Sequence, residues 1–171
     1  TLILFKILSN KKIVFLGKFL LNLGLKLHLP ILGLIKKSIF KHFCGGENII
    51  ESKQKIEELA KYNIQTILDY SIEGKNSEKS FKKTYIEILK NLEEAKNNKF
   101  IPFCVFKITG IARFKLLNKV NEKEILSKTE EEEFTIVTKR LQAICEKAKI
   151  NKTPILIDAE ESWIQNAIDK L

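Results

Sequence analysis

Short apolar runs alternate with stretches of helically spaced apolar residues from about residue 41 to the end of the chain. Each run ends at a polar residue or a turn, and the runs predict strands at 41–44, 65–70, 101–109 and 154–157. Apolar residues three and four positions apart predict helices at 52–62, 78–96 and 130–149, and Ser77 is predicted to cap the second of these. A last helix after residue 162 is predicted to carry its apolar residues on one side, namely Trp163, Ile164, Ala167, Ile168 and Leu171. Because no run alternates with polar residues, both faces of the predicted sheet are covered, as is typical of parallel strands in α/β folds.

A polar residue stands at the carboxyl end of every predicted strand: Glu47, Asp69, Lys107 and Asp158. In a (β/α)8 barrel the active site is assembled from many such strand ends. A doubly wound nucleotide-binding sheet would carry a glycine-rich phosphate loop after its first strand, and Gly45-Gly46-Glu47 does not match one. Four βα units in about 130 residues correspond to half of a barrel of about 250 residues. The predicted fold class is therefore α/β, the first half of a (β/α)8 TIM-type barrel.

Residues 1–40 precede this pattern and predict a helical leader, which leaves residues 41–171 for the half-barrel. The leader helices are predicted at 2–8, 13–25 and 31–43. Its apolar runs are shorter than the ~18 residues that a membrane span requires. Two interpretations stay open: helices that pack on the body of the protein, or a basic amphipathic region, residues 1–43, that touches anionic lipid.

The charge of the chain is unevenly distributed. Residues 1–46 contain eight lysines and no acidic residue, whereas the remaining 125 residues carry 22 basic and 21 acidic side chains. Residues 1–46 therefore carry +8 of the net charge of +9, which argues against a nucleic-acid surface on the domain. The three cysteines lack metal-ligand spacing, so buried free thiols and no metal site are predicted at Cys44, Cys104 and Cys145. The absence of methionine predicts a piece of a longer protein.

Lys107 carries the strongest chemical signal, because it lies near the end of an otherwise apolar strand. Burial of an ammonium group costs several kcal/mol unless an anion pairs with it, and Asp69, Asp158 or a ligand carboxylate is the predicted partner. The alternatives are a lysine whose head reaches solvent at the barrel rim, or a Schiff-base nucleophile as in barrel aldolases. For Asp158 the alternative is a helix N-cap.

Other polar and aromatic residues near the strand ends have structural interpretations. Trp163 is predicted to pack within the last helix. The acidic run Glu130–Glu133 is predicted to be a solvated first helical turn, and Glu160 and Glu161 are predicted to face solvent or the next helix N-terminus.

Four segments occur in order along the chain: FKHFCGGE, TILDYSIEG, IPFCVFKITGIARF and PILIDAEESWIQ. Together they resemble the first four strand–loop segments of proline dehydrogenases, the flavoenzymes that start proline catabolism, over about residues 38–171. The leader resembles the helical N-terminal region of bacterial single-function members. The resemblance implies a distorted (β/α)8 barrel that holds FAD and oxidises L-proline to Δ1-pyrroline-5-carboxylate. It also implies hydride transfer to flavin N5 and electron transfer to a membrane quinone.

The resemblance also implies roles for individual residues. Lys107 matches the lysine that pairs with the proline carboxylate, Asp158 the active-site aspartate, and Ala159 the neighbour whose backbone abuts FAD. The family's paired arginines do not occur in this chain, whose two arginines are Arg113 and Arg140, so the chain is expected to be inactive alone. The implied location is the cytoplasm, peripheral on the inner face of the membrane. The competing hypotheses are a Schiff-base aldolase that uses Lys107 and a non-enzymatic membrane-surface module that uses the leader.

Overall fold

The computed structural model describes residues 2–70 and 76–171 and divides the chain into two compact units, Thr1–Glu47 and Asn48–Leu171. The loop that the sequence predicts after the second strand, residues 71–74, lies outside the described residues. The boundary predicted at residue 40 between leader and half-barrel stays a prediction.

The described part of the first unit is helical. Its elements are α1 (Leu2–Ser9), α2 (Lys11–Lys26), α3 (Ile31–Ile35), a π-helical turn (Lys36–Phe40) and α4 (Lys41–Phe43). These elements agree with the helices predicted for the leader. Among the residues that the structure describes, no helix combines the length and the apolar character needed to cross a membrane.

The strand predicted at residues 41–44 is wrong. Lys41–Phe43 is helical because the backbone continues the preceding π-turn, and the Cys44 N–H donates to the Phe40 carbonyl at 2.8 Å. A backbone that is satisfied by its own local hydrogen bonds needs no neighbouring strand. The prediction of buried thiols fails for Cys44 and Cys145, which are exposed, and is confirmed for Cys104.

The second unit combines helices with a small parallel sheet. Its elements are α5 (Ile49–Ala60), β1 (Leu68–Asp69), α6 (Glu78–Ala95), β2 (Cys104–Phe106), α7 (Phe114–Asn121), α8 (Lys128–Asn151), β3 (Ile155–Ile157) and α9 (Gln165–Lys170). Short 3-10 turns occupy Ile108–Gly110 and Ser162–Ile164. The predicted alternation and the parallel sheet are confirmed, although the strands are shorter than predicted. The unit is a mostly helical α/β domain, and closure into a barrel stays a prediction.

The sheet has the order β1-β2-β3 within the described residues, and β2 lies in the middle. Cys104 lies opposite both Leu68 and Ile155, and Phe106 lies opposite Ile157. Cys104 and Phe106 are buried and belong to the core, where β2 packs on α6. Successive side chains in a strand point to opposite faces. Val105, and Lys107 two residues later, therefore lie on the face away from α6.

Two capping boxes fix where the core helices begin. The Ser77 hydroxyl accepts from the Ser80 N–H at the start of α6, which confirms the predicted cap. At α8, the Ser127 hydroxyl accepts from the Glu130 N–H, while the Glu130 carboxylate accepts from the Ser127 N–H at 3.0 Å. Such reciprocal bonds satisfy N–H groups that a helix cannot satisfy itself. The two helices then pack together through buried apolar residues, namely Ile88 and Leu92 of α6 with Val137, Leu141 and Ile144 of α8.

Two burial predictions near the end of the chain are wrong. The strand before Asp158 was predicted to be buried, yet Leu156 is 48% exposed because β3 is the last strand of the described sheet. Trp163 is 54% exposed, although Ile164 and other apolar residues of its predicted stripe, Ala167 and Ile168, are buried. The 3-10 turn Ser162–Ile164 has three residues per turn, so it shifts Trp163 out of the helical stripe.

The 171-residue chain, produced alone, is expected to self-associate. Leu156 and Ile157 expose apolar side chains on an edge strand, which is a template for pairing with another chain. Leu156→Lys should reduce association measured by light scattering, because a charge on the edge opposes strand addition. Ile125→Lys changes an exposed isoleucine outside the sheet and should have no effect. A monomer with one sharp thermal transition would contradict the half-barrel prediction.

Candidate functional site

Polar residues stand at the carboxyl ends of all three described strands. Asp69 is the last residue of β1, Lys107 follows β2 and Asp158 follows β3. Since the strands are parallel, these residues meet at one edge of the sheet. The register that places Phe106 opposite Ile157 continues by one residue, so Lys107 and Asp158 lie directly opposite each other. The structure therefore brings together the two residues that the sequence singles out.

Lys107 and Asp158 form an ion pair with 3.8 Å between Nζ and Oδ2. The Asp158 N–H donates to the Phe106 carbonyl at 3.0 Å, so the backbone on both sides of the pair is fixed. The distance exceeds the range of about 2.7–3.2 Å for a direct hydrogen bond. The side chains are 33% and 49% exposed, and ion pairs at such positions contribute little stability. A ligand carboxylate can therefore compete for the Lys107 ammonium at small cost to the fold.

The surface beside this pair is apolar. Val105 and Leu156 lie opposite each other in the sheet. Each comes two positions before a member of the ion pair, Val105 before Lys107 and Leu156 before Asp158, so all four residues lie on the same face. Leu156 is half exposed and Val105 is partly buried. A cation and an anion thus border an accessible apolar patch. This arrangement suits a small molecule that carries a carboxylate next to an apolar body.

Cys104 lies on the same strand but is excluded as a nucleophile. Its side chain faces the helix-covered core, and it is 1% exposed. Burial raises the pKa of the Cys104 thiol to about 11, so the thiol stays protonated at neutral pH.

A clamp that the sequence analysis missed joins the two strand ends. The Glu160 carboxylate accepts from the Thr109 N–H at 3.0 Å and from the Thr109 hydroxyl. Thr109 comes two residues after Lys107, and Glu160 two residues after Asp158. These equal offsets in parallel strands are the sequence signal that could have predicted the contact. The expectation that Glu160 faces solvent or a helix N-terminus is wrong.

Ion pairs hold α7 against α8 behind the strand ends. Arg113, which precedes α7, binds both carboxylate oxygens of Glu133, at 3.1 Å from Nε and 2.7 Å from Nη2. Lys119 lies 2.8 Å from Glu130. Hydrogen bonds to Glu133 raise the pKa of Arg113. The acidic run is therefore not a solvated turn as predicted, because two of its members bind cations of the preceding helical segment.

The remaining predicted site residues have different outcomes. Glu47 ends no strand; it belongs to the first unit and pairs with Lys36 at 2.6 Å. The N-cap alternative for Asp158 is wrong, because Glu161 and Ile164 occupy the N-cap positions that follow, without a side-chain capping bond. Ala159 is exposed in the extended segment after Asp158. Its proposed contact with FAD stays a prediction.

The sheet and its polar carboxyl edge define an α/β domain of the kind that binds ligands at the ends of its strands. A protein-family model described as proline dehydrogenase matches residues 52–171. The chain therefore belongs to the proline dehydrogenase family.

Curated relatives agree with this assignment. A mitochondrial proline dehydrogenase 1 of Dictyostelium discoideum is 30% identical over 88% of this chain and 33% of its own length. The mitochondrial proline dehydrogenase 1 of Arabidopsis thaliana is 26% identical over 81% of the chain and 36% of its own length. A carbapenem antibiotics biosynthesis protein, CarD, of Pectobacterium carotovorum subsp. carotovorum is 26% identical over 75% and 34%. The chain spans about one third of the length of these relatives.

Glu130→Gln should remove a pH-dependent part of the stability. Hydrogen bonds from Lys119 and Ser127 lower the pKa of Glu130 to about 2 from its ordinary value of 4.5. A carboxyl group with a lowered pKa in the folded state stabilises the fold above about pH 4.5, and this contribution is lost as the pH falls towards about 2. Urea unfolding should show a gap between wild type and variant at neutral pH that closes over this range. Glu131→Gln, in the same helical turn, is the control and should leave the pH profile unchanged. Identical profiles for wild type and Glu130→Gln would contradict the assignment.

Thr109→Val should destabilise the strand-end clamp. The variant keeps the side-chain shape and the backbone N–H but removes the hydroxyl donor to Glu160. A hydrogen bond to a charged group contributes about 1.5–3 kcal/mol, and urea unfolding of the complete protein that carries this chain should show a loss of that order. Thr109→Ser restores the donor and should recover most of the stability. Equal losses in both variants would show that the methyl group, rather than the hydroxyl, matters.

Proposed function

We propose that the chain forms the first part of an FAD-dependent proline dehydrogenase built on a (β/α)8 barrel. The reaction is the oxidation of L-proline to Δ1-pyrroline-5-carboxylate, with electrons passed on to a membrane quinone. Family membership supports the reaction class. The observation that carries the proposal is the placement of Lys107 opposite Asp158 at the carboxyl ends of β2 and β3. The protein acts in the cytoplasm at the inner face of the membrane.

Lys107 binds the carboxylate of proline. The proline molecule is small and places this carboxylate directly beside an apolar ring. The edge of the sheet offers the matching pair of surfaces, since the Lys107 ammonium stands beside the apolar Val105 and Leu156. A fixed cation holds the substrate in one orientation, which lowers the entropic part of the barrier.

Asp158 supplies negative charge beside the substrate. Oxidation of an amine develops positive charge at its nitrogen, and a carboxylate held by a fixed backbone stabilises that charge. FAD, when bound, accepts the hydride that leaves proline. The residues present fit a flat ring system, because the face beside Asp158 is open and apolar and the exposed Ala159 has a minimal side chain. Ala159 would then contact the cofactor through its backbone.

The Schiff-base alternative is not favoured by the geometry. A lysine that attacks a carbonyl group must be a neutral amine. Such lysines lie in desolvated sites, whereas Lys107 is partly exposed and has a carboxylate 3.8 Å away. Reduction with borohydride in the presence of a carbonyl compound should therefore leave Lys107 unmodified.

Lys107→Ala in the complete protein that carries this chain is expected to raise KM for proline. The lysine contacts the carboxylate in the ground state and the transition state alike, so its loss weakens binding more than it lowers kcat. Truncating one partner of a charge pair that is buried when the substrate binds costs about 2–4 kcal/mol, equivalent to a rise in KM of roughly thirtyfold or more. Steady-state kinetics with an artificial soluble electron acceptor measure both parameters. Lys115→Ala removes an exposed lysine of α7 and is the matched control.

Asp158→Asn separates the second role in the same experiment. The variant keeps the shape but loses the charge, so it should lower the rate of flavin reduction by proline more than it changes KM. Anaerobic stopped-flow measurement isolates this step, and Asp169→Asn on the exposed side of α9 is the control. Unchanged proline affinity in Lys107→Ala together with normal flavin reduction in Asp158→Asn would overturn the proposed site.

A further inference from the structure

The first unit presents a defined helical surface that the proposed reaction does not use. Its longest helix, α2, is held at both ends. Asn10 caps the start, where its side-chain oxygen accepts from the Lys12 N–H at 3.1 Å. At the other end His28 adopts a left-handed backbone with φ of 54°, and the Leu29 N–H donates to the Gly24 carbonyl at 3.0 Å. This hydrogen-bonding pattern terminates helices sharply.

A close contact decides which side of α2 is buried. Gly24 is the buried residue of the helix, and a Cβ atom added there would lie 2.6 Å from the Ile31 Cδ1 atom. α3 therefore packs directly on the α2 backbone at this point. The rotation of α2 is fixed by this contact, so a different side of the helix is exposed.

One exposed side of α2 is apolar from Leu16 to Leu27, the residue that follows the helix. Its residues recur three and four positions apart and are each 42–61% exposed; they are Leu16, Phe19, Leu20, Leu23 and Leu27, which we term the leader stripe. This spacing places them on one face of a helix. Lys11, Lys18 and Lys26 occupy the adjacent face. The helix is thus amphipathic and cationic.

The charge of the first unit calls for a negative partner. Eight lysines lie between residues 1 and 46, and the first acidic residue of the chain is Glu47, which pairs with Lys36. The remaining 125 residues are nearly neutral, with 22 basic and 21 acidic side chains, so they hold no surplus of carboxylates to match the leader. A surface that combines an apolar stripe with an excess of lysines over acidic residues is complementary to an anionic lipid surface.

We infer that α2 lies flat on an anionic membrane surface, with the leader stripe inserted at the boundary between headgroups and acyl chains. The flanking lysines Lys11, Lys18 and Lys26 contact lipid phosphates. This inference rests on the membrane location in the proposed function and deepens it by naming the helix of the first unit that makes the contact. A cationic helix of this kind gains affinity both from the apolar area it buries and from its charge.

Vesicle flotation with the complete protein that carries this chain tests the inference. The probes are vesicles of phosphatidylcholine alone and vesicles in which about one third of the lipid is phosphatidylglycerol. The wild type should float with the anionic vesicles and only weakly with the neutral ones. Added salt should weaken flotation, because the Debye length falls from about 10 Å at 0.1 M to about 3 Å at 1 M salt.

Two sets of variants separate the two contributions. Phe19→Ser with Leu23→Ser removes apolar area from the leader stripe and should lower the partition coefficient roughly tenfold or more. Its control is Ile125→Ser, which alters an isoleucine that is 96% exposed in the second unit.

The charge variant is Lys11→Gln with Lys18→Gln and Lys26→Gln, and it should also lower the partition coefficient roughly tenfold or more. Its control removes the same charge from the exposed start of α6, through Lys79→Gln with Lys82→Gln and Lys83→Gln. Circular dichroism checks that each variant keeps its helical content.

Each outcome decides the inference. Equal flotation with neutral and anionic vesicles, or equal losses in the variants and their controls, would overturn it. So would a wild type that ignores vesicles and forms a dimer that the Phe19→Ser, Leu23→Ser variant breaks, because the leader stripe would then bind a second copy. Proline oxidation with a soluble acceptor is measured in parallel. A wild type that oxidises proline but does not bind anionic vesicles refutes this inference and leaves the proposed function standing.

Discussion

The parallel pairing of β2 with β3 is the constraint on which the candidate site depends. The two strands are only three residues long, yet the Asp158 N–H to Phe106 carbonyl bond extends their pairing by one residue. That extension sets a lysine and an aspartate opposite each other on the open face. Because side chains alternate along a strand, a slip of one residue would send either group into the helix-covered core. The chemistry of the site is therefore a consequence of strand register.

Contacts between helices maintain this register. Arg140 of α8 is buried, donates to the Ile111 carbonyl at 3.2 Å and pairs with Glu78 at the start of α6. It thereby ties both core helices to the segment that leaves β2. The Thr109–Glu160 clamp does the same on the side of β3. Short strands form few backbone hydrogen bonds with each other, so these polar contacts contribute much of the stability of the strand ends.

Local sequence signals predicted those parts of the structure that depend on neighbours along the chain. Ser77 was recognisable as a cap, and Lys107 and Asp158 stood out because each interrupts or ends an apolar run. Several of the failures involve distant partners or a change of helix type. Residues 41–44 look like a strand only if another strand is available to pair with them, and the Glu130–Glu133 run looks solvated unless the cations of α7 are known to face it.

Charged residues have different surroundings in the two units of the chain. In the second unit three ion pairs link neighbouring elements: Arg140 binds Glu78, Arg113 binds Glu133 and Lys119 binds Glu130. These ion pairs hold the helices that support the site, and their cations are engaged within the fold. The leader lysines meet no acidic residue of their own segment before Glu47. The lysines of α2 share their helix with no acidic residue and lie beside an exposed apolar stripe, which is the arrangement expected of a helix that contacts an anionic surface.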